Sequence, residues 1–423
     1  MIVIALGSAG DVHPNVGLAQ ALRRRGHDVL FVGPSVFRAL SERAALDFVG
    51  IGDEESYQEA IRDPDLWHPT RSFTVVAKRL ILPALRPIYE IIANRRRPDT
   101  VIASSPLALA GRMAQEKLGL PLATVHLQPI MLRSIVQPAC FGFPDILAAL
   151  PRWLRGPYYR FADWAFVDRV LLEETNQFRR ELGLPPVTRL FNGWVHSPER
   201  VIGLFPDWFA PPAPDWPPQV KLTGFPLWDE SNVRQPSAEL EEFLRGGDPP
   251  LVFTAGSANF QAKRFFEVSV AVCRAMRCRG LLLSQFPEQL PAPLPKDVRH
   301  FHYIPFSQVL PRSAALVHHG GIGTTSQAIA AGIPQLVVPS SHDQPDNAVR
   351  VRRLGIGDFL LPKNYEPKRV RKTIDRLMQP AVKDECRRRA AQLAGSKPLD
   401  TAAELIEQLG QARATSQVAA GRR

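Results

Sequence analysis

The sequence predicts an α/β protein of two doubly wound, parallel-sheet domains facing each other across a cleft, and three observations carry that expectation. Short, almost wholly apolar runs of strand length alternate with stretches of helical periodicity, the pattern of sheets buried on both faces. The alternation occurs twice along the chain. Between the two sets lie residues 206–218 (PDWFAPPAPDWPP), where six prolines in thirteen positions exclude regular helix or central strand and mark the approach to a domain boundary.

The elements follow in order. Residues 2–7 (IVIALG) form the first strand, a glycine-containing turn follows, and Pro14 marks the expected start of a helix through VGLAQALRRRGH. Further strands fall at HDVLFVG, LDFVGIG, DTVIASS and PLATVHL. After the polar stretch DESNVRQPSAELEEFLRGGDPP a second set begins: LVFTAGS, GLLLSQ, VRHFHYI, AALVHH, PQLVVPS and DFLLP. We place the first domain at 1–215 and the second at 216–395, with a linker at about 224–250. A helix within 396–423 is expected to cross back to the first domain and to end in a frayed tail from residue 413. All seven tryptophans precede residue 229, so the two halves are expected to do different work.

Composition narrows the function. A chain of 423 residues, 45% hydrophobic, has material for two or three cores, which excludes disorder. No apolar run approaches the roughly 18 residues of a membrane span, and the start MIVIALGSAGD lacks the features of a signal peptide, so a cytoplasmic protein is expected. Cys140, Cys273, Cys278 and Cys386 show no metal-ligand spacing and read as buried free thiols; with no HExxH or calcium-loop motif, neither metal nor cofactor is expected. The net charge is +11, but residues 350–423 hold 17 Lys and Arg against 8 Asp and Glu, so the excess is local. It reads as a solvated face or as attraction to an anionic membrane, through RVRRLG, PKRVRK and CRRRA.

The most informative stretch is AALVHHGGIGTTSQAIAAG, residues 314–332. A strand, a glycine-rich turn and a helix in that order place backbone N–H groups of Gly323, Thr324 and Thr325 at a helix N-terminus, a natural phosphate site. Gly321 and its neighbours allow close backbone approach, and His319 offers a ring N–H. No Walker lysine and no GxGxxG is present, so ATPase and dehydrogenase readings lose support. The next strand delivers SHDQPDNA to the same crevice, where Asp343 and Gln344 suit sugar hydroxyls.

At these residues the chain resembles the family 1 glycosyltransferases of GT-B fold, which share an HGGxGT loop followed by a DQxxNA loop. The resemblance extends to the amino-terminal GSAGDVHPNVGLAQAL and so spans the chain. It implies two Rossmann-like domains, with a nucleotide-sugar donor on the carboxy-terminal one and an acceptor on the amino-terminal one. Branch-specific segments (residues 53–73, 87–90, 194–212 and 223–229) are similar to the rhamnosyltransferases of mono-rhamnolipid synthesis. They imply transfer of L-rhamnose from dTDP-L-rhamnose to the hydroxyl of a 3-(3-hydroxyalkanoyloxy)alkanoate.

Carried over by position, His319, Gly321, Gly323, Thr324 and Thr325 hold the diphosphate, and Asp343 and Gln344 the sugar. Tyr303 stacks on the base where family members usually carry Trp, Ile304 pairs with it through its backbone, and Phe306 stands where Gln or His is common. Thr254, Gly256 and Ser257 are further donor candidates. Asp11 matches the family's general base. The alternative for it is helix capping, and His13, with its ordinary pKa of about 6.5, is the other candidate base or its helper.

The family's plant branch uses a His with a distant Asp; that dyad is expected to be absent, because Asp11 holds the first position and VIASS at 101–105 offers serines where that branch has its Asp. Trp67, Phe73, Phe141, Phe143 and Trp164 are the acceptor-side candidates. The aromatic-rich stretch 151–182, which includes Trp164, reads as core, as the wall of an acyl pocket or as a membrane-surface element. Three rivals remain at this level: a UDP-glucose-dependent transferase acting on a sterol, polyketide or other lipophilic alcohol, a sugar-nucleotide epimerase, and a non-enzymatic membrane-surface binder. Nucleic acid is not expected as a partner.

Overall fold

The computed structural model describes residues 1–231 and 235–420. Its first sheet is seven-stranded and wholly parallel, in the order β3-β2-β1-β4-β5-β6-β7, from β1 (Ile2–Ile4), β2 (Leu30–Pro34), β3 (Asp47–Ile51), β4 (Ile102–Ser104), β5 (Leu122–His126), β6 (Arg200–Gly203) and β7 (Val220–Leu222). The second has six parallel strands in the order β10-β9-β8-β11-β12-β13, from β8 (Leu251–Thr254), β9 (Gly280–Leu283), β10 (Val298–Phe301), β11 (Ala315–His318), β12 (Gln335–Val337) and β13 (Gly357–Phe359). All strands foreseen from apolar runs are present. Each central strand is buried along its length, which is why it reads as a continuous apolar run.

Two strands were not foreseen. β6 and β7 flank the proline-rich segment, which connects two neighbouring strands of one sheet rather than marking a domain boundary. The first sheet therefore extends to Leu222, past the expected limit at 215.

Seven helices position the rest of the argument: α1 (Ala9–Arg24), α2 (Arg152–Ala162), α3 (Arg169–Glu181), α4 (Ile322–Ala330), α5 (Gln344–Arg353), α6 (Pro380–Leu393) and α7 (Pro398–Ala420). α1 begins at Ala9, five residues before the expected start, because Ser8 and Asp11 form a capping box and Pro14 is absorbed inside the helix. α7 returns to the first domain, where Arg25 of the α1 C-cap pairs with Glu404 and Glu407 at 3.3 and 2.8 Å. It continues to Ala420 where a frayed tail was expected from 413, since its last turns are rich in alanine, the best helix former. Residues 421–423 of that tail lie outside the described residues.

The domains share a continuous apolar interface. One cluster runs from Val12 and Val16 of α1 to Ile322 and Ile329 of α4. Polar ties flank it: His342 bonds the Leu66 carbonyl at 3.1 Å, Asp346 accepts the Cys140 N–H at 3.0 Å, and Arg350 donates to the Phe209 carbonyl at 3.1 Å. No helix among the described residues is long and apolar enough to cross a membrane. Three of the four thiols are buried; Cys278 is half-buried, a departure from the expectation. Arg387, Arg388 and Arg389 of the basic run pair within α6 with Asp384 and Glu385.

Candidate active site

β1 ends in a turn that feeds straight into α1, and this geometry places Asp11 at the third position of the helix, over the carboxyl end of the sheet. Its Oδ2 accepts the Ser8 backbone N–H at 3.0 Å, and its Oδ1 accepts from Gln128 at 3.4 Å. Gly7 makes room: a Cβ there would lie 2.1 Å from Asp11 Oδ2, and the residue has φ +133°. Burial outweighs the hydrogen bonds, so the Asp11 carboxyl is raised from its ordinary value to about 6. Capping and catalysis are thus compatible roles, because one oxygen caps while the other faces the cleft beside an amide.

His13, two residues on, lines the same cavity but takes different partners. Its Nε2 lies 3.6 Å from Glu230 Oε1, and its ring sits edge-on to Trp228 and Tyr303. Glu230 also pairs with Arg43 at 2.8 Å, while its neighbour Asp229 accepts the Ser307 N–H at 2.7 Å and its carbonyl accepts the Tyr303 hydroxyl at 2.8 Å. Two adjacent linker residues therefore grip one domain each.

The opposite wall is built by the loops after β11 and β12. Gly321 is the N-cap of α4, and a first-turn geometry leaves the Gly323 and Thr324 N–H groups directed at the cavity. The Ile322 N–H is already given to Asp343 Oδ2 at 3.2 Å, and the Thr325 N–H to the Gly321 carbonyl at 2.9 Å. His319 is pressed between two glycines: a Cβ at Gly256 or Gly321 would lie 2.9 or 2.6 Å from its ring. Burial lowers the His319 pKa to about 4, so the ring is neutral and has one N–H to give; its Nδ1 is buried without a partner.

Asp343 is the N-cap residue of α5, held by Asn347 at 2.7 Å as well as by the Ile322 N–H. Burial, and then the Asp11 carboxylate across the cleft, raise it to about 7. Gln344 spends its amide oxygen on the Ser340 N–H at 2.8 Å, which leaves its NH2 for a ligand.

One cavity of about 820 Å³ joins both walls. Every predicted site residue lines it except two. Thr325 is fully buried behind the first turn of α4 and does not line the cavity, because successive helical residues lie about 100° apart. Trp164 is 65% exposed on the outer face of the helical segment that begins with α2, while Ala162, Phe166 and Val167 of the same segment form the wall. Beyond Asp11 the cavity deepens into an apolar chamber with Phe73, Leu107, Ile130, Phe143 and Phe191 among its walls. Phe143 stacks on Phe359 of the second domain at 4.7 Å, so one wall of this chamber is backed by the second domain.

Sequence reasoning missed Ser8, Gln128, Asn347 and the Trp228–Glu230 strap. Ser8 and Asn347 were readable, the first from its S-x-x-D spacing and the second from its i+4 position after Asp343. Gln128 and the strap were not, since their partners are more than 70 residues away. Among the described residues no group of three metal-ligating side chains occurs.

Comparisons with known proteins agree with this geometry. Residues 1–137 match the glycosyltransferase family 28 N-terminal domain, and residues 283–409 match the EryCIII-like C-terminal domain of erythromycin biosynthesis proteins. The chain is 31% identical over 447 residues to O-mycaminosyltylonolide 6-deoxyallosyltransferase of Streptomyces fradiae, with 98% of each chain covered. It is 27% identical over 381 residues to a sterol 3-beta-glucosyltransferase of Pichia angusta, covering 86% of this chain and 30% of that one. Among solved structures, the glycosyltransferase of kitacinnamycin aligns with a TM-score of 0.72 at 21% identity, covering 96% of this chain and 98% of that one. Spinosyn rhamnosyltransferase in complex with thymidine diphosphate aligns at 0.66 and 20% identity, covering 96% and 99%.

Proposed function

Since the chain belongs to the GT-B glycosyltransferases, with a family 28 amino-terminal and an EryCIII-like carboxy-terminal domain, we propose that it is an inverting, metal-independent rhamnosyltransferase. It moves L-rhamnose from dTDP-L-rhamnose to the hydroxyl of a 3-(3-hydroxyalkanoyloxy)alkanoate. The observation that carries this reading is the single cavity, in which a raised, solvent-shielded carboxyl stands between a helix N-terminus and an apolar chamber. A diphosphate fits the first and an acyl chain the second. The branch-specific segments and the 6-deoxysugar named for the Streptomyces relative support the choice of rhamnose.

In this mechanism Asp11 takes the proton of the acceptor hydroxyl as its oxygen attacks the anomeric carbon. The bond from that carbon to the diphosphate breaks, and the electron pair leaves on the diphosphate oxygen. Negative charge growing there meets the Gly323 and Thr324 N–H groups, the positive end of α4 and the His319 N–H. Asp343 and the Gln344 NH2 hold the sugar hydroxyls. Tyr303 and Ile304, at the edge of the second sheet, hold the base. Gln128 orients Asp11.

A second reading, glucosyl transfer from UDP-glucose to a sterol or other lipophilic alcohol, is favoured by the sterol glucosyltransferase relative. A donor and acceptor matrix with mass detection separates the two. The rhamnosyl reading expects a product only with the thymidine donor and the hydroxyacyl ester. A glucosylated sterol formed at higher kcat/KM would overturn it. Chelation by EDTA is expected to leave turnover unchanged.

A further inference from the structure

The six most exposed large hydrophobic side chains, Phe141, Ile146, Trp153, Phe161, Trp164 and Phe166, fall within 26 consecutive residues of a described chain that otherwise keeps such groups covered. They are contiguous with the chamber: Phe141, Ile146 and Phe166 also line it. The helical segment from Arg152 to Asp168 explains how. Tyr159 and Asp163, one turn apart, are buried, and Tyr158, Ala162 and Val167 face the cavity. Trp153, Pro157, Phe161 and Trp164, spaced by four, four and three residues, make an exposed stripe on the opposite face. The Phe161 and Trp164 rings lie 6.0 Å apart.

A helix that is aromatic on both faces belongs inside a protein or against an apolar phase. This one is not inside. Within residues 152–169 the exposed charges are all basic, Arg152, Arg160 and Arg169, while Asp163 and Asp168 are buried and the exposed Glu173 and Glu174 follow one turn later; among the described residues no carboxylate forms an ion pair with any of the three arginines. Arg155, by contrast, is spent on the carbonyls of Ile135 and Leu150. Aromatic side chains interleaved with unpaired arginines match the boundary of an anionic lipid layer, where rings sit at headgroup depth and guanidinium groups meet phosphates.

We propose that the outer face of residues 152–169 docks the enzyme on an anionic lipid–water interface, so that an amphiphilic acceptor passes from the lipid past Phe141, Ile146 and Phe166 into the chamber without crossing water. The proposal rests on the lipophilic acceptor reading for its purpose but not for its test. The CRRRA segment takes no part, because Arg387, Arg388 and Arg389 are paired within their own helix with Asp384 and Glu385.

The experiment is flotation of the full chain with vesicles of phosphatidylglycerol and phosphatidylcholine, read also by the emission of Trp153 and Trp164. The intact protein is expected to float with anionic vesicles and show a blue shift. Trp153→Ser/Phe161→Ser/Trp164→Ser is expected to lose at least tenfold in vesicle affinity, with unchanged kcat on a short, water-soluble acceptor. Arg152→Gln/Arg160→Gln is expected to lose the preference for anionic over neutral vesicles, and Arg387→Gln/Arg388→Gln/Arg389→Gln to bind within twofold of wild type. Failure of the intact chain to float, or flotation retained by the triple serine variant, overturns the proposal. So does a concentration-dependent dimer in sedimentation that the serine variant abolishes, which would assign the stripe to a second copy. If the acceptor assignment alone is wrong, flotation and its loss in the serine variant persist while rhamnosyl product is missing.

Discussion

The two walls of the cleft are made differently. The carboxy-terminal wall is a mesh of short polar contacts, with Asp343, Gln344, Asn347 and His319 each fixed by backbone or glycine neighbours before any ligand arrives. The amino-terminal wall carries one such construction at the mouth of its helix, Asp11 with Ser8 and Gln128, and is otherwise mostly apolar, with His13, Arg79 and Arg133 among its scattered polar members. Preorganised donors suit a diphosphate, whose charge is the same in every substrate of the class. An apolar chamber with few directional contacts suits acceptors that differ in length and shape. On the function proposed above, the chemistry is set by one domain's loops and the other domain's single helix start, while acceptor choice is left to aromatic packing.

The sharpest way to break this division is Asp11→Asn. Turnover is expected to fall by about 10³-fold, while calorimetry finds thymidine diphosphate affinity within threefold of wild type. Loss of both together would move Asp11 into the donor wall. The same variant is expected to melt higher at pH 8. A carboxyl raised to about 6 binds its proton more tightly folded than unfolded, so its contribution is present below pH 4 and lost as pH rises through 6; Asn removes the buried charge.

Next in size, His319→Ala is expected to weaken thymidine diphosphate binding by about tenfold, the worth of one hydrogen bond to a charged group. Gly256→Ala should act on the same ring from behind, since its Cβ would stand 2.9 Å from His319 at a backbone φ of +93°. A rise in donor KM with little change in acceptor KM is expected in steady-state kinetics. The pH profile of kcat/KM is expected to show an acidic limb near 6, with activity lost as pH falls. Gln128→Leu, which removes a bond to the ionised form, shifts that limb upward. The smallest effect is expected from Thr325→Val, which is off the cavity wall and should leave diphosphate affinity within twofold.

Much of this molecule is legible in its sequence. The apolar runs located the central strands because strands buried on both faces have no choice of composition, and the two loops after β11 and β12 announced their ligand class because glycines and a helix start leave few other uses for such N–H groups. β6 and β7 escaped notice: β6 hides in the mixed run ERVIG and β7 in QVKLTG, and the prolines between them looked like a boundary. Thr325 and Trp164 were misjudged for one shared reason. A motif names residue types, but the side of a helix on which each lands depends on its phase against neighbours that come from elsewhere in the chain.

By itself, then, the sequence determined the two-sheet architecture and the glycine-rich turn that leads into α4, which follow from local periodicity and local backbone chemistry, and it singled out Asp11 through its resemblance to a family. Only the tertiary structure decided the rest. It brought Gln128 to Asp11 from 117 positions away, set Asp11 opposite Asp343 so that the Asp11 carboxylate adds to the cost of ionising Asp343, joined both walls into one cavity, and left an aromatic stripe uncovered beside its mouth. These are properties of burial and distance between remote segments, and no window of sequence contains them.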